Sequence, residues 1–318
     1  MEYPKISVVT VNYNLAEHLE ETILSVIQQG YPNLEYIIID GGSTDGSVEI
    51  IKKYEEYLTY WVSEPDEGQY YAVQKGFDRC TGDIMGWINS DDRYHPGAFM
   101  ALAEIFTQFP EVRWLTGFPT EYTESGITIN RITLPWARWS KYRHYTYDFQ
   151  FVQQESTFWR RDLWEEAGSC MNLHYKLAGD MELWCRFFRY AKLHTTLALI
   201  GGFRYRKHNQ RSRDHIEAYL KECARAVDEE FHQRTPPGPK WKYTLLRIIG
   251  FPLGVLFFLN IPLFRNLYEW LYDIPYPIIY NFDRHKFEYG TKLVQHPPIY
   301  LFGQQWSLSR LFGIRQNY

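Results

Sequence analysis

Across the first ninety residues, short β-branched runs and amphipathic runs take turns without a break. That alternation constrains the fold more than any other feature of the chain. "ISVVTVNYN" is strand-like. The run "LAEHLEETILSVIQQG" follows, placing Leu15, Leu19, Ile23, Val26 and Ile27 on one helical face, with Gly30 as its stop. "LEYIIID" reads as a second strand, "SVEIIKKYEEYL" as a second helix and "TYWVSEPD" as a third strand. "GQYYAVQKGFDRC" is then a helix leading into the strand of "GDIMGWINSDD". The pattern predicts an α/β fold: a mostly parallel central sheet flanked by helices, joined by right-handed crossovers. Ligands of such sheets gather at the carboxyl ends of the strands.

From 110 to about 200 the pattern is mixed. "VRWLTGFPTEY" and "ITINRITL" can pair as strands, and "PWARWSKYRHYTYDFQF" reads as a long aromatic, basic loop. "ESTFWRRDLWEEAG" passes from strand to short helix, "GDMELWCRFFRYA" is a helix and "LALIGGFRYRKH" a strand. "DHIEAYLKECARAVDEEFHQ" is a long helix. "TPPGPK" at 235–240 is the best linker, dividing a main domain, 1–235, from an extension, 236–318. The extension holds nine Lys and Arg against four Asp and Glu, about +5 within a chain whose net charge is −4. Basic and aromatic, it suits an anionic membrane surface better than nucleic acid. Its apolar run "IIGFPLGVLFFLNIPLF" (248–264) is broken by Pro252, Asn260 and Pro262. The preferred reading is helices lying in or dipping into one leaflet, with a full span or a soluble hairpin as alternatives. Four cysteines without metal-ligand spacing read as buried thiols in a reducing compartment. Residues 1–15 lack a secretory pattern. The expected location is cytoplasmic, peripherally attached to the inner face of the cytoplasmic membrane.

Several acids could carry chemistry. Asp40 opens "DGGSTDGS" at a strand end, where a base or ribose would lie; the plain alternative is a turn with Asp45 or Ser47 capping the next helix. Lys75 lies on the helix of "SEPDEGQYYAVQKGF" and is either a ligand contact or a solvated lysine. Asp91 and Asp92 close a strand side by side; they cap a helix or hold Mg²⁺ or Mn²⁺, which prefer carboxylate, phosphate and water oxygens. His208 is a further ligand, a phosphate contact or structural, within a basic cluster of Arg204, Arg206, Lys207, Arg211 and Arg213. Asp180 precedes an amphipathic helix, as an N-cap or as a base.

Taken in order, "ISVVTVNYN", "DGGSTDGS", "SEPDEGQYYAVQKGF", "TGDIMGWINSDD", "QQESTFWRRDLWEEAG", "AGDMELWCRFF" and "FRYRKHNQRS" resemble family 2 glycosyltransferases of GT-A (nucleotide-diphospho-sugar transferase) fold, bacterial polysaccharide-assembly type, over about residues 4–215. The resemblance implies that Asp40, Thr10 and Asn12 line the nucleobase pocket. It makes Asp92 the direct metal ligand, with Asp91 toward the ribose or metal-bound water. Asp180 would be the general base, Glu182 and Trp184 would shape the acceptor end, and Lys75 and His208 would attend the diphosphate. The Q-x-x-R-W motif of processive members is missing, which favours single sugar addition.

One base plus a cation site suits inverting transfer, because a diphosphate with its cation leaves without a proton. A glycosidase needs two opposed carboxyl groups. The expected partners are a nucleotide-sugar donor, with UDP the commoner carrier, a glycan or lipid-linked acceptor and an anionic membrane. Two other readings stay open. One is a non-catalytic nucleotide-sugar binder at the membrane. The other is a sugar nucleotidyltransferase, which would want a basic Gly-rich loop where the acidic "NYNLAEHLEE" stands.

Overall fold

The structure is a computed structural model, which describes residues 3–129, 139–147, 152–208, 210, 214–233, 239–258 and 262–290. The main sheet contains β1 (Ile6–Asn12), β2 (Leu34–Asp40), β3 (Tyr60–Ser63), β4 (Ile84–Asn89), β6 (Trp114–Thr116), β9 (Thr157–Arg160) and β10 (Leu193–Thr195), in the order β10-β6-β9-β4-β1-β2-β3. All pairs are parallel except the two that β9 makes. β1 is buried along its whole length, which explains its unalternating Ile, Val and Thr. A second, small sheet runs β5 (Arg93–Tyr94), β11 (Gly201–Arg204), β7 (Thr120–Tyr122) and β8 (Thr128–Ile129).

The helices are α1 (Ala16–Ile27), α2 (Ser47–Lys53), α3 (Gln69–Phe77), α4 (Ala98–Gln108), α5 (Lys141–Tyr145), α6 (Arg161–Glu166), α7 (Gly179–Tyr190), α8 (Ile216–Gln233), α9 (Lys240–Phe258) and α10 (Pro262–Tyr272). Two apolar cores line the two faces of the sheet. One gathers Leu19, Ile23 and Phe99 from α1 and α4. The other packs Val73 of α3 and Trp184 of α7 with Trp87, Trp114 and Trp159. α3 lies close on β1 because Gly76 faces Val9, where any Cβ would collide with the valine methyls.

Strand order reverses between β1 and β4, since β2 follows β1 on one side and β4 flanks it on the other. Such a switch point leaves a crevice at the carboxyl ends of the strands. Asn12, Asp40 and Asn89 end their strands there.

Three regions differ from the sequence reading. The expected aromatic loop contains α5, whose Tyr142, Arg143, His144 and Tyr145 are all buried, so no amphipathic stripe marks it. α9 runs through Pro252 rather than breaking at it. A hairpin, β12 (Ile278–Asn281) with β13 (Lys286–Tyr289), follows α10 and returns to the main core, where Ile278 is fully buried. Tyr243, Leu246 and Leu271 likewise join the core around Trp184. Residues 235–238 of the linker, 259–261 of the apolar run and 291–318 of the extension lie outside the described residues. Among the described residues, no helix is long and apolar enough to cross a membrane. Cys80, Cys185 and Cys223 are buried, whereas Cys170, beyond α6, is exposed.

Candidate active site

The loop after β2 is held by Asp40, which is fully buried. Asn12 Nδ2 donates to its carboxylate at 2.6 Å, as do Ser43 Oγ at 2.6 Å and Ser63 Oγ at 2.5 Å. The Gly42 and Ser43 amides add two more bonds, at 3.2 and 2.9 Å. Burial alone would raise the pKa of this acid, but these donors lower it below the ordinary aspartate value. The turn reading and the ligand reading therefore meet here: Asp40 builds the loop. Thr10 bonds the Tyr36 hydroxyl at 2.9 Å, and the buried Asn12 side-chain oxygen has no hydrogen-bond partner. Asp45 accepts from the Ala16 amide at 2.8 Å and from the Ser47 amide and hydroxyl, so it braces the turn before α2, whose N-cap position is Gly46 rather than Asp45 or Ser47.

After β4 the chain turns on Ser90, Asp91 and Asp92. Asp92 is 0% exposed and Asp91 6%. Asp92 Oδ1 accepts from the Arg204 amide at 2.8 Å, and Oδ2 receives Asn89 Nδ2 at 3.3 Å. Asp91 Oδ2 lies 2.7 Å from Arg206 Nε. Arg204, itself fully buried, donates to the Asp91 carbonyl at 2.7 Å and the Glu124 carbonyl at 2.9 Å, and pairs with Glu21. Arg204 is thus a structural tie rather than a free phosphate contact, and Lys207 is engaged by Glu124 at 3.2 Å. His208 is exposed; among the described residues no hydrogen bond or ion pair joins it to either aspartate. Arg211 and Arg213 lie outside the described residues.

Reading the sequence missed Glu155. It sits on a single helical turn, Gln154–Ser156, that leads into β9. Gly201 faces its carbonyl, where a Cβ could not fit. Glu155 is buried and its Oε1 has no hydrogen-bond partner. Burial, then the charges of Asp91, Asp180 and Glu121, push its pKa up to about 8. Burial, then Asp91 and Glu155, likewise push Asp92 well above the carboxylate range. The signal was one acid among the glutamines of "QQESTFWRR".

Asp180 lies in the first turn of α7. Burial pushes its pKa up to about 6, against hydrogen bonds from its own and the Met181 amides and from the Tyr70 and Tyr219 hydroxyls. Tyr70 also donates to the Leu177 carbonyl at 3.0 Å. From α8, Glu222 accepts the amides of Leu177 and Ala178 at 2.9 Å each and that of Lys176 at 3.1 Å. Tyr219 and Glu222, one helical turn apart, thus fix the base and the loop before it. Sequence reading singled out neither.

The fold brings Asp91, Asp92 and Asp180 each within electrostatic range of Glu155. It places three other expected residues differently. Lys75 is paired with Glu64 at 2.6 Å. Glu182 is tied to Arg186, one turn further along α7, at 2.8 Å. Trp184 is fully buried and stacked on Trp87 at 6.0 Å between ring centres, so it supports the site from beneath.

A divalent cation fits this donor set on physical grounds. The acids after β4 are hard oxygen ligands whose repulsion the single Arg206 pair only partly offsets, and one oxygen of Glu155 is orphaned. Among the described residues no three His, Cys, Asp or Glu side chains form a complete cage.

The profile of Glycosyl transferase family 2 matches residues 7–161. An uncharacterized glycosyltransferase of Mycobacterium tuberculosis is 30% identical over 181 residues, 56% of this chain and 67% of that one. This chain belongs to glycosyltransferase family 2. The putative teichuronic acid biosynthesis glycosyltransferase TuaG of Bacillus subtilis is 35% identical over 94 residues, 29% of this family member and 37% of TuaG. Among solved structures, S. aureus TarS in complex with UDP-GlcNAc aligns with a TM-score of 0.60 at 16% identity, covering 81% of this chain and 76% of that one. The mannosyltransferase PcManGT of Pyrobaculum calidifontis, with GDP-Man and Mn²⁺, aligns with a TM-score of 0.53 at 17% identity, covering 85% of each chain. The family 2 fold is therefore GT-A, a central α/β sheet flanked by helices.

Proposed function

We propose that this family 2 glycosyltransferase moves a sugar, with inversion, from a nucleotide-diphosphate donor to a hydroxyl of a glycan or lipid-linked acceptor in polysaccharide assembly. UDP is the proposed nucleotide, and TarS bound to UDP-GlcNAc is the neighbour that supports it. One observation carries the reading. A part-exposed aspartate of pKa about 6, Asp180, stands beside buried acids that lack enough internal partners.

In this proposal the Asp40 loop shapes the nucleobase pocket, with Thr10 and Asn12 on its floor. Asp40 already accepts five hydrogen bonds, so it acts by holding Gly41 to Ser43 in place. Asp66, whose carboxylate would stand 3.0 Å from a Cβ at Gly41, and the exposed Tyr13 flank that loop. Asp91 and Asp92 would hold Mn²⁺ or Mg²⁺. We place Asp91 first, because it keeps accessible surface and Asp92 has none. His208 and Lys75 are proposed as diphosphate contacts. When bound, the cation would offset the charge that grows on the departing diphosphate.

Asp180 is mostly ionised at neutral pH and still basic enough to accept the hydroxyl proton as attack proceeds. The acceptor oxygen bonds the anomeric carbon, the bond to the diphosphate breaks and the proton passes to Asp180. Glu182 and Trp184 set the acceptor end indirectly, by locking α7. The extension is proposed to hold the enzyme on the inner face of the cytoplasmic membrane, supported by its charge and by Trp241 and Trp270, 65% and 73% exposed.

A thermal-shift screen of nucleotide sugars with Mn²⁺ tests the reading, since a ligand that binds only the folded state raises Tm. At least one UDP-sugar should stabilise the wild type in a Mn²⁺-dependent way, and Asp91→Ala should abolish that dependence. No stabilisation by any nucleotide sugar would remove the proposal.

A further inference from the structure

At the far end of α7 from Asp180, a cavity of about 200 Å³ opens between α5, the last turn of α7 and the residues just after α10. Trp139, Lys141, Tyr190, Lys192, Asp273 and Pro275 form much of its wall. On α7 the lining residues Phe188 to Tyr190 stand about eight to ten positions beyond Asp180, so at about 1.5 Å per residue the cavity lies roughly 12–15 Å along that axis from the base. It also borders Leu193, the first residue of β10, on the sheet edge opposite the carboxylates. Sugar transfer gives no reason for it.

Its charge is unbalanced. Among the described lining residues Asp273 is the one carboxylate, and Lys192 Nζ takes it at 2.7 Å. Arg189 also lines the cavity but is paired with Glu230. Lys242 of α9 approaches from behind, its Nζ 3.9 Å from the Tyr142 ring centre and 6.0 Å from that of Trp270. Among the described residues neither Lys141 nor Lys242 has a carboxylate partner. Burial lowers the pKa of both ammonium groups, the pull of Asp273 opposes it, and repulsion from neighbouring lysines adds to the lowering. One carboxylate shared by three lysines leaves part-buried positive charge in excess, which a bound anion relieves. The volume is below the roughly 300–1,000 Å³ that encloses drug-sized ligands. It suits a phosphate group better than a whole nucleotide sugar. The exposed Trp241 and Trp270 stand beside these lysines, as indoles do at membrane–water interfaces.

We propose that this cavity binds the phosphate of an anionic membrane phospholipid, with Lys141 in its wall as the anchoring ammonium group and Lys242, behind that wall, adding its charge. The inference rests on the membrane reading of the extension and names the residues that carry it. The full chain is sedimented with vesicles of phosphatidylcholine alone or with added phosphatidylglycerol. The wild type should bind the anionic vesicles, and Lys141→Gln/Lys242→Gln should bind about 30-fold more weakly, at roughly a fivefold loss per lysine. Lys52→Gln/Lys221→Gln, which removes two exposed lysines elsewhere, should bind like the wild type. The arginine pair Lys141→Arg/Lys242→Arg should keep binding, and its failure would overturn a charge-based site even if the glutamine pair proves unfolded. Wild-type binding that the glutamine pair retains in full overturns the cavity and leaves the membrane reading standing. No wild-type binding to either vesicle removes both. Matched phosphate and chloride buffers of equal ionic strength separate the sources. Loss of vesicle binding in the glutamine pair supports the lipid; a Tm gain in phosphate over chloride that the glutamine pair loses, while its vesicle binding matches the wild type, assigns the cavity to free phosphate and overturns the lipid.

Discussion

The loops after β2 and after β4 each bury an aspartate at a strand end, and the two are opposites. Asp40 is surrounded by five donors, and its pKa falls. Asp92 has two donors and two acidic neighbours, and its pKa rises. Neither side chain reaches solvent, but Asp92 is the more deeply buried and has acids beside it, so deeper burial, nearby negative charge and fewer donors together reverse the sign. A satisfied carboxylate holds a loop; an unsatisfied one is a site awaiting positive charge. Variants of the first kind should lose stability, and those of the second should lose activity.

The largest expected effect is on the unsatisfied side. Asp180→Asn should lower turnover by about 10²–10⁴-fold, the range for a general base, while leaving Tm and nucleotide binding nearly unchanged. The wild type should also lose activity as pH drops through about 6, where Asp180 takes up its proton. A pH–rate profile flat through that region would remove Asp180 as base.

On the satisfied side, Asp40→Ala strands several buried donors and should destabilise the fold by about 3 kcal/mol, read from urea unfolding. An unchanged midpoint would show that the β2 loop does not depend on its carboxylate. Glu222→Ala should be milder, about 1 kcal/mol, because its partners lie nearer to solvent. Kinetics would show whether the loop before Asp180 still holds the base.

A last prediction separates the two classes by pH. Glu155 keeps its proton in the fold up to about pH 8, whereas the unfolded chain releases it near 4.3. Between those values the folded state binds more protons, so stability falls as pH rises. Glu155→Gln removes the titration and should flatten that decline, with the variant gaining on the wild type toward pH 8. Parallel Tm–pH curves for both proteins would place Glu155 outside the cluster.

The legibility of the sequence follows the same division. Strands β1, β2 and β4 are buried runs between amphipathic helices, so periodicity located them, and Asp40, Asp91 and Asp180 stand at ends that pattern marks. α5 escaped because all its faces are covered, and the β12–β13 hairpin because its pairing partner is the distant core rather than its own composition. Glu155 and Glu222 escaped for a different reason: each acts through neighbours brought together from far along the chain. Lys75, Glu182 and Trp184 were marked by motif position, yet only tertiary contacts show them bound to Glu64, bound to Arg186 and buried.

Arg204 gathers the Asp91 carbonyl, the Glu124 carbonyl and the Glu21 carboxylate in one guanidinium. Segments separated by as many as 183 positions therefore behave as one mechanical part. Anyone recombining this chain with a relative, to graft a new donor preference onto its amino-terminal half, must inherit positions 21 and 204 from the same parent. A crossover that divides that pair would strand a fully buried cation at the centre of the hybrid.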